Sequence, residues 1–123
     1  MLKGEINRKR KFFKLTNPEK RIWFHEKKYQ GASLHNIGGC IVLKHSVDCK
    51  TMEKAINQVI EEHDAFRIGF FELEAEPYQY VKEYEYHTLQ LKKFASNEAF
   101  EQWKNSFFAE PFDIYNDELY SFV

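Results

Sequence analysis

Residues 51–71 read TMEKAINQVIEEHDAFRIGFF. Met52, Ala55, Ile56, Val59, Ile60, His63 and Phe66 recur at three- and four-residue intervals, while Glu53, Lys54, Asn57, Gln58, Glu61, Glu62 and Asp64 fall on the other side. That spacing predicts one helix with one buried face. Arg67-Ile68-Gly69-Phe70-Phe71 follows without a loop and reads as a strand with Ile68 and Phe70 on one face. A helix running straight into a strand packs back on the sheet that the strand joins. His63, Asp64 and Arg67 cluster at the join, where Asp64 can accept from Arg67 or orient His63. The expected role is a structural ion pair fixing the helix–strand angle, with a catalytic cluster as the alternative.

Upstream, Phe12, Phe13 and Leu15 form a short apolar run suited to an edge strand or a strap. Thr16-Asn17-Pro18-Glu19 has the form of a capping box, with Pro18 tolerated in the first turn, and opens a helix that Gln30-Gly31 closes. Its apolar stripe is expected to hold Ile22, His25, Glu26 and Tyr29, widened by Trp23 and Phe24. Residues 33–45 read as a strand, central because 40–43 are apolar on both faces. Gly38-Gly39 within it is a bulge or a close approach. Asp48 or Thr51 caps the helix of 51–66.

Downstream, 74–77 is a turn returning Tyr78-Gln79-Tyr80-Val81 as a hairpin partner of 67–73. Residues 88–92 alternate as a third strand. Ser96 caps a helix with Phe100, Trp103 and Phe107 on one face, and Pro111 ends it. Residues 112–123 read as a turn leading into a strand that stops among apolar residues, the pattern expected of a cut rather than a fraying terminus.

A length of 123 residues suits one domain. Aromatic residues make up 17%, with twelve Phe and seven Tyr, a surplus that implies either an aromatic face meeting another domain or a truncated chain whose interface is meant to be covered. Residues 1–14 hold six basic side chains against Glu5 alone, net +5, leaving 12 basic against 18 acidic over 15–123, net −6. The acidic body argues against a nucleic-acid partner, and 1–11 reads as a basic linker or tail. No run suits a membrane span or signal peptide, so a cytoplasmic location is expected. Cys40 and Cys49 form no disulfide framework, and Cys40 and His45, five apart on a strand, point to opposite faces, so no metal site is expected.

Several segments, in order, make the chain resemble the first part of a non-ribosomal peptide synthetase condensation domain. Leu15-Thr16-Asn17-Pro18-Glu19-Lys20-Arg21-Ile22-Trp23-Phe24 is similar to the family's Ser-x-Ala-Gln-x-Arg-Leu-Trp: Arg21 and Trp23 match, while Thr16, Pro18 and Glu19 depart. Glu62-His63-Asp64-Ala65-Phe66-Arg67-Ile68-Gly69-Phe70 is similar to Arg-His-Glu-x-Leu-Arg-Thr-x-Phe, with His63, Arg67 and Phe70 matching and Glu62 reversing a charge. Pro111-Phe112-Asp113-Ile114 resembles Pro-Phe-Asp-Leu, although Glu118 and Ser121 stand where Pro and Arg are usual. Asn36-Ile37 and Pro77-Tyr78-Gln79 resemble Tyr-Asn-Ile and Pro-x-Gln.

The resemblance implies an α+β fold over 12–123: a mixed, largely antiparallel sheet with helices packed on it, the N-terminal lobe of the chloramphenicol-acetyltransferase type. It also implies peptide-bond formation by the whole domain, between thioesters carried on the phosphopantetheine arms of carrier proteins, with no cofactor bound directly. The family's His-His-x-x-x-Asp-Gly motif is not in this sequence, so a truncated lobe, inactive alone and without a catalytic residue, is expected. Arg21, Trp23, His63, Asp64, Arg67 and Asp113 are then structural supports. The expected partners are the C-terminal lobe and the carrier-protein and adenylation domains, and the isolated chain is expected to self-associate. The alternatives are a free-standing protein-binding module, or part of an epimerisation, heterocyclisation or acyltransferase domain.

Overall fold

The computed structural model describes residues 11–123. Strand β1 (Phe12–Lys14) leads into helix α1 (Asn17–Lys28); helix α2 (Cys49–Glu62) is followed by a 3-10 turn (Asp64–Arg67), strands β2 (Ile68–Leu73) and β3 (Glu76–Val81), and helix α3 (Asn97–Phe108). The strands form one antiparallel sheet in the order β1-β3-β2. The expected α+β class is therefore realised. Apart from Lys11, the basic tail lies outside the described residues.

The hairpin sets the sheet. Glu74 and Ala75 make its two-residue turn with φ of 51° and 65°, the doubly left-handed geometry that matches strand twist and is usually supplied by Asn-Gly. The turn is thus shorter than the expected 74–77, and Pro77 sits inside β3 opposite Glu72. Lys82 donates its N–H to the Arg67 carbonyl at 2.7 Å. Alternation from that pair makes Glu72–Pro77 a non-hydrogen-bonded pair, so the proline nitrogen faces the side where β1 no longer reaches beyond Lys14. Gly69 opposes Tyr80, and a Cβ there would stand 2.7 Å from the tyrosine ring. Glycine at 69 is what lets the ring lie across the strand.

On α1, the Glu19 carboxylate accepts the Thr16 N–H at 2.6 Å and its hydroxyl at 2.7 Å, completing the capping box. Gly31, at φ 83°, follows the helix end. The buried stripe is narrower than expected: Trp23 is 3% exposed, whereas Ile22, Phe24 and Tyr29 stay exposed. Helix α2 is capped by Asp48, which accepts the Thr51 N–H at 2.8 Å. It also ends earlier than the 51–66 periodicity predicts, because His63 turns to φ −117°, ψ 106° and the 3-10 turn takes over. Helix α3 keeps its predicted cap, Ser96 accepting the Ala99 N–H at 3.2 Å, and its aromatic face, with Trp103 and Phe107 stacked at 5.0 Å.

Three expected strands form no ladder: 33–45, 88–92 and the strand expected within 112–123. β-Branched composition favours a strand only where a neighbouring strand supplies its hydrogen bonds. Among the described residues none flanks these segments. The supposed central strand is open to solvent, with Ile41 85% and Val42 86% exposed. No helix among the described residues is long and apolar enough to cross a membrane.

The left-handed hairpin turn yields a test. Ala75→Gly should raise the melting temperature, since relieving a left-handed non-glycine residue outweighs glycine's entropic cost by about 1 kcal/mol. A lower melting temperature would show that the turn is held by its side chains.

Candidate functional site

A groove of about 750 Å³ lies between α2, residues 87–92, α3 and residues 118–123. Ile56 and Ile60 of α2, Trp103 and Phe107 of α3, and Leu89 and Phe122 give it apolar walls. Its position depends on how 84–92, which lacks a strand neighbour, is held against α2.

That holding is done by two side chains assigned to the polar side of the helix. Asn57 is 2% exposed. Its amide donates to the carbonyls of Glu53 at 2.9 Å and His87 at 2.7 Å, and its carbonyl accepts the His87 N–H at 2.8 Å and the Tyr84 hydroxyl at 3.1 Å. The Glu53 carboxylate accepts the Leu89 N–H at 2.9 Å and the Tyr86 hydroxyl at 2.7 Å. Those bonds hold Glu53 below the usual carboxylate range, the tyrosine contributing most, and they push the Tyr86 phenol up. Side chains thus satisfy the backbone of 87–89 as a strand would. The signal in the sequence was spacing: Asn57 lies three residues before Ile60, beside the apolar stripe, and Glu53 one turn earlier.

On the groove wall, Tyr120 meets the rings of Phe66 at 5.5 Å and His87 at 5.8 Å. Its buried hydroxyl has no hydrogen-bond partner among the described residues. Burial above all, with the Glu118 charge adding, pushes that phenol up to about 12. It stays a neutral donor at physiological pH. An adjoining hollow of about 220 Å³ contains Arg67, Lys82 and Glu118, and Lys82 donates to Glu118 at 3.2 Å and to the Asp117 carbonyl at 3.1 Å. The groove therefore offers apolar walls and a phenol donor. Neither cysteine lines it, and no group of three metal-ligating side chains occurs among the described residues.

The six support residues occupy different places. Arg67 donates from Nη2 to Asp64 at 2.6 Å and from Nη1 to the Lys82 carbonyl at 3.1 Å, tying the 3-10 turn to the end of β3. His63 is exposed at the α2 end, outside that clamp. Arg21 is exposed and makes no hydrogen bond or ion pair among the described residues. Trp23 is buried with Lys27 4.8 Å from its ring centre, and Lys27 in turn pairs with Glu72. Neither the Trp23 indole N–H nor the Tyr115 hydroxyl completes a hydrogen bond among the described residues, although the indole and Glu72 lie near enough to influence the Tyr115 phenol, which burial chiefly drives up to about 12. Asp113 closes a turn by accepting the Tyr115 N–H at 2.9 Å and the Asn116 amide at 2.7 Å. Asn36 donates to the carbonyls of Phe108 at 3.1 Å and Glu110 at 2.7 Å, finishing α3, and Gln79 reaches Glu19 at 3.4 Å. The short sequence signatures meet one another in space, but they do not assemble a single catalytic cluster.

Comparison with known proteins gives the same picture at family level. The family model for the condensation domain matches residues 9–123. A plipastatin synthase protein of Bacillus subtilis (strain 168) is 32% identical over 113 residues, covering 89% of this chain and 4% of that protein. Surfactin synthase subunit 1 of the same organism is 31% identical over 118 residues, covering 90% of this chain and 3% of the relative. Bacitracin synthase 3 of Bacillus licheniformis is 25% identical over 112 residues, 90% of this chain and 2% of that protein. The chain thus spans only a few per cent of the length of the curated relatives it matches.

Two outcomes follow from the hydrogen bonds. Asn57→Ala should cost about 2–4 kcal/mol, because it orphans buried backbone groups of His87, while the neighbouring exposed Gln58→Ala should change the urea midpoint little. A small loss for Asn57→Ala would mean that water replaces the amide. Glu53 titrates below its unfolded value, so its contribution is present above that value and is lost as pH falls through the lower folded one. The destabilisation by Glu53→Gln should therefore be full at neutral pH and shrink as pH falls below the ordinary glutamate value of about 4.3; a pH-independent gap would refute the carboxylate's role.

Proposed function

This chain belongs to the condensation-domain family, and from that premise we propose that it supplies the opening portion of a condensation domain in a non-ribosomal peptide synthetase. The family match over 9–123 carries this reading. The spatial meeting of the sequence signatures supports it: Glu19 with Gln79, Arg67 with Lys82, and Asn36 with the end of α3. The match spans nearly the whole chain, so a free-standing module of different purpose has no specific support.

In the proposed reaction an acceptor amine attacks a donor thioester, and the site must order both groups while charge develops on the carbonyl oxygen and the amine. The phosphopantetheine arms arrive as part of the substrates, on carrier proteins. The remaining lobe and the adenylation domain are further proposed partners. Trp23, Asp64, Arg67 and Asp113 act as supports for the lobe rather than as acid, base or nucleophile, whereas the side chains of Arg21 and His63, both exposed, make no such contact among the described residues. No histidine here neighbours another, and none precedes an Asp-Gly pair, so the proton-handling motif of the family has to come from elsewhere.

Grafting residues 12–123 in place of the corresponding stretch of a condensation domain of surfactin synthase subunit 1 tests this. The chimera should form the condensed thioester, read by mass spectrometry of the carrier protein, and the 123-residue chain alone should form none. A folded chimera with no product, or turnover by the chain alone, would overturn the reading. Arg67→Ala in the chimera should lower melting temperature and product together; lost product at an unchanged melting temperature would move Arg67 from support to direct participant.

A further inference from the structure

We draw no further inference here: the strongest candidate, the apolar groove between α2, residues 87–92, α3 and residues 118–123 with the buried Tyr120 hydroxyl on its wall, carries nothing because nothing in the structure shows what covers it.

Discussion

Asn57 is a buried amide that uses both its donor and acceptor sides, and the course of residues 84–89 depends on it. A chain segment leaving a sheet normally satisfies its backbone from the next strand. Here the helix does so, with Asn57 bonding both the N–H and the carbonyl of His87 and Glu53 taking the N–H of Leu89. Each such bond contributes only about 1 kcal/mol net, but leaving the buried groups unpaired costs more. The groove beside α2 is a consequence, because its third wall is this segment.

The same economy of polar contacts organises the other junctions. Arg67 spans from Asp64 to the Lys82 carbonyl, so one side chain fixes the end of the α2 turn against the far end of the hairpin. Lys82 then continues to Glu118 and the Asp117 carbonyl. On the opposite side, Glu19 caps α1 and meets Gln79, while Lys20 pairs with Glu76 at 2.9 Å. These exposed ion pairs add little stability individually. Their effect is geometric: they orient helices whose apolar contact is thin, since Leu15, Trp23 and Ile60 alone among the described large hydrophobics are buried.

A thin core alongside an aromatic content of 17% means that the rings line surfaces. Phe12, Phe71 and Tyr78 cluster on one face of the sheet at 5.5–5.6 Å. Phe94 packs on Trp103 of α3, which stacks with Phe107, and Phe66, Tyr120 and Phe122 gather in a second cluster beside the groove. Such rings supply large contact areas at small entropic cost wherever another surface meets them. Their arrangement fits a chain whose relatives are many times longer.

Local signals were sufficient for whatever local forces decide. The caps at Thr16, Asp48 and Ser96, the helix bodies, the hairpin and the edge strand β1 were legible because a cap, a 3.6-residue period or a period of two acts within a few residues. The Asp64–Arg67 pair was legible for the same reason, being three residues apart. Tertiary structure decided the rest. Residues 40–43 and 88–92 have strand-like sequences, yet a ladder requires a neighbour, and their neighbours are not set by their own composition. Asn57 was assigned to the wet side because its type is usually exposed; only the approach of His87 buries it, across thirty residues of sequence. Likewise, the groove lies among four segments far apart in the chain. Spacing along a sequence specifies a helix face, but what that face meets is a contact between distant parts, and only the folded chain contains it.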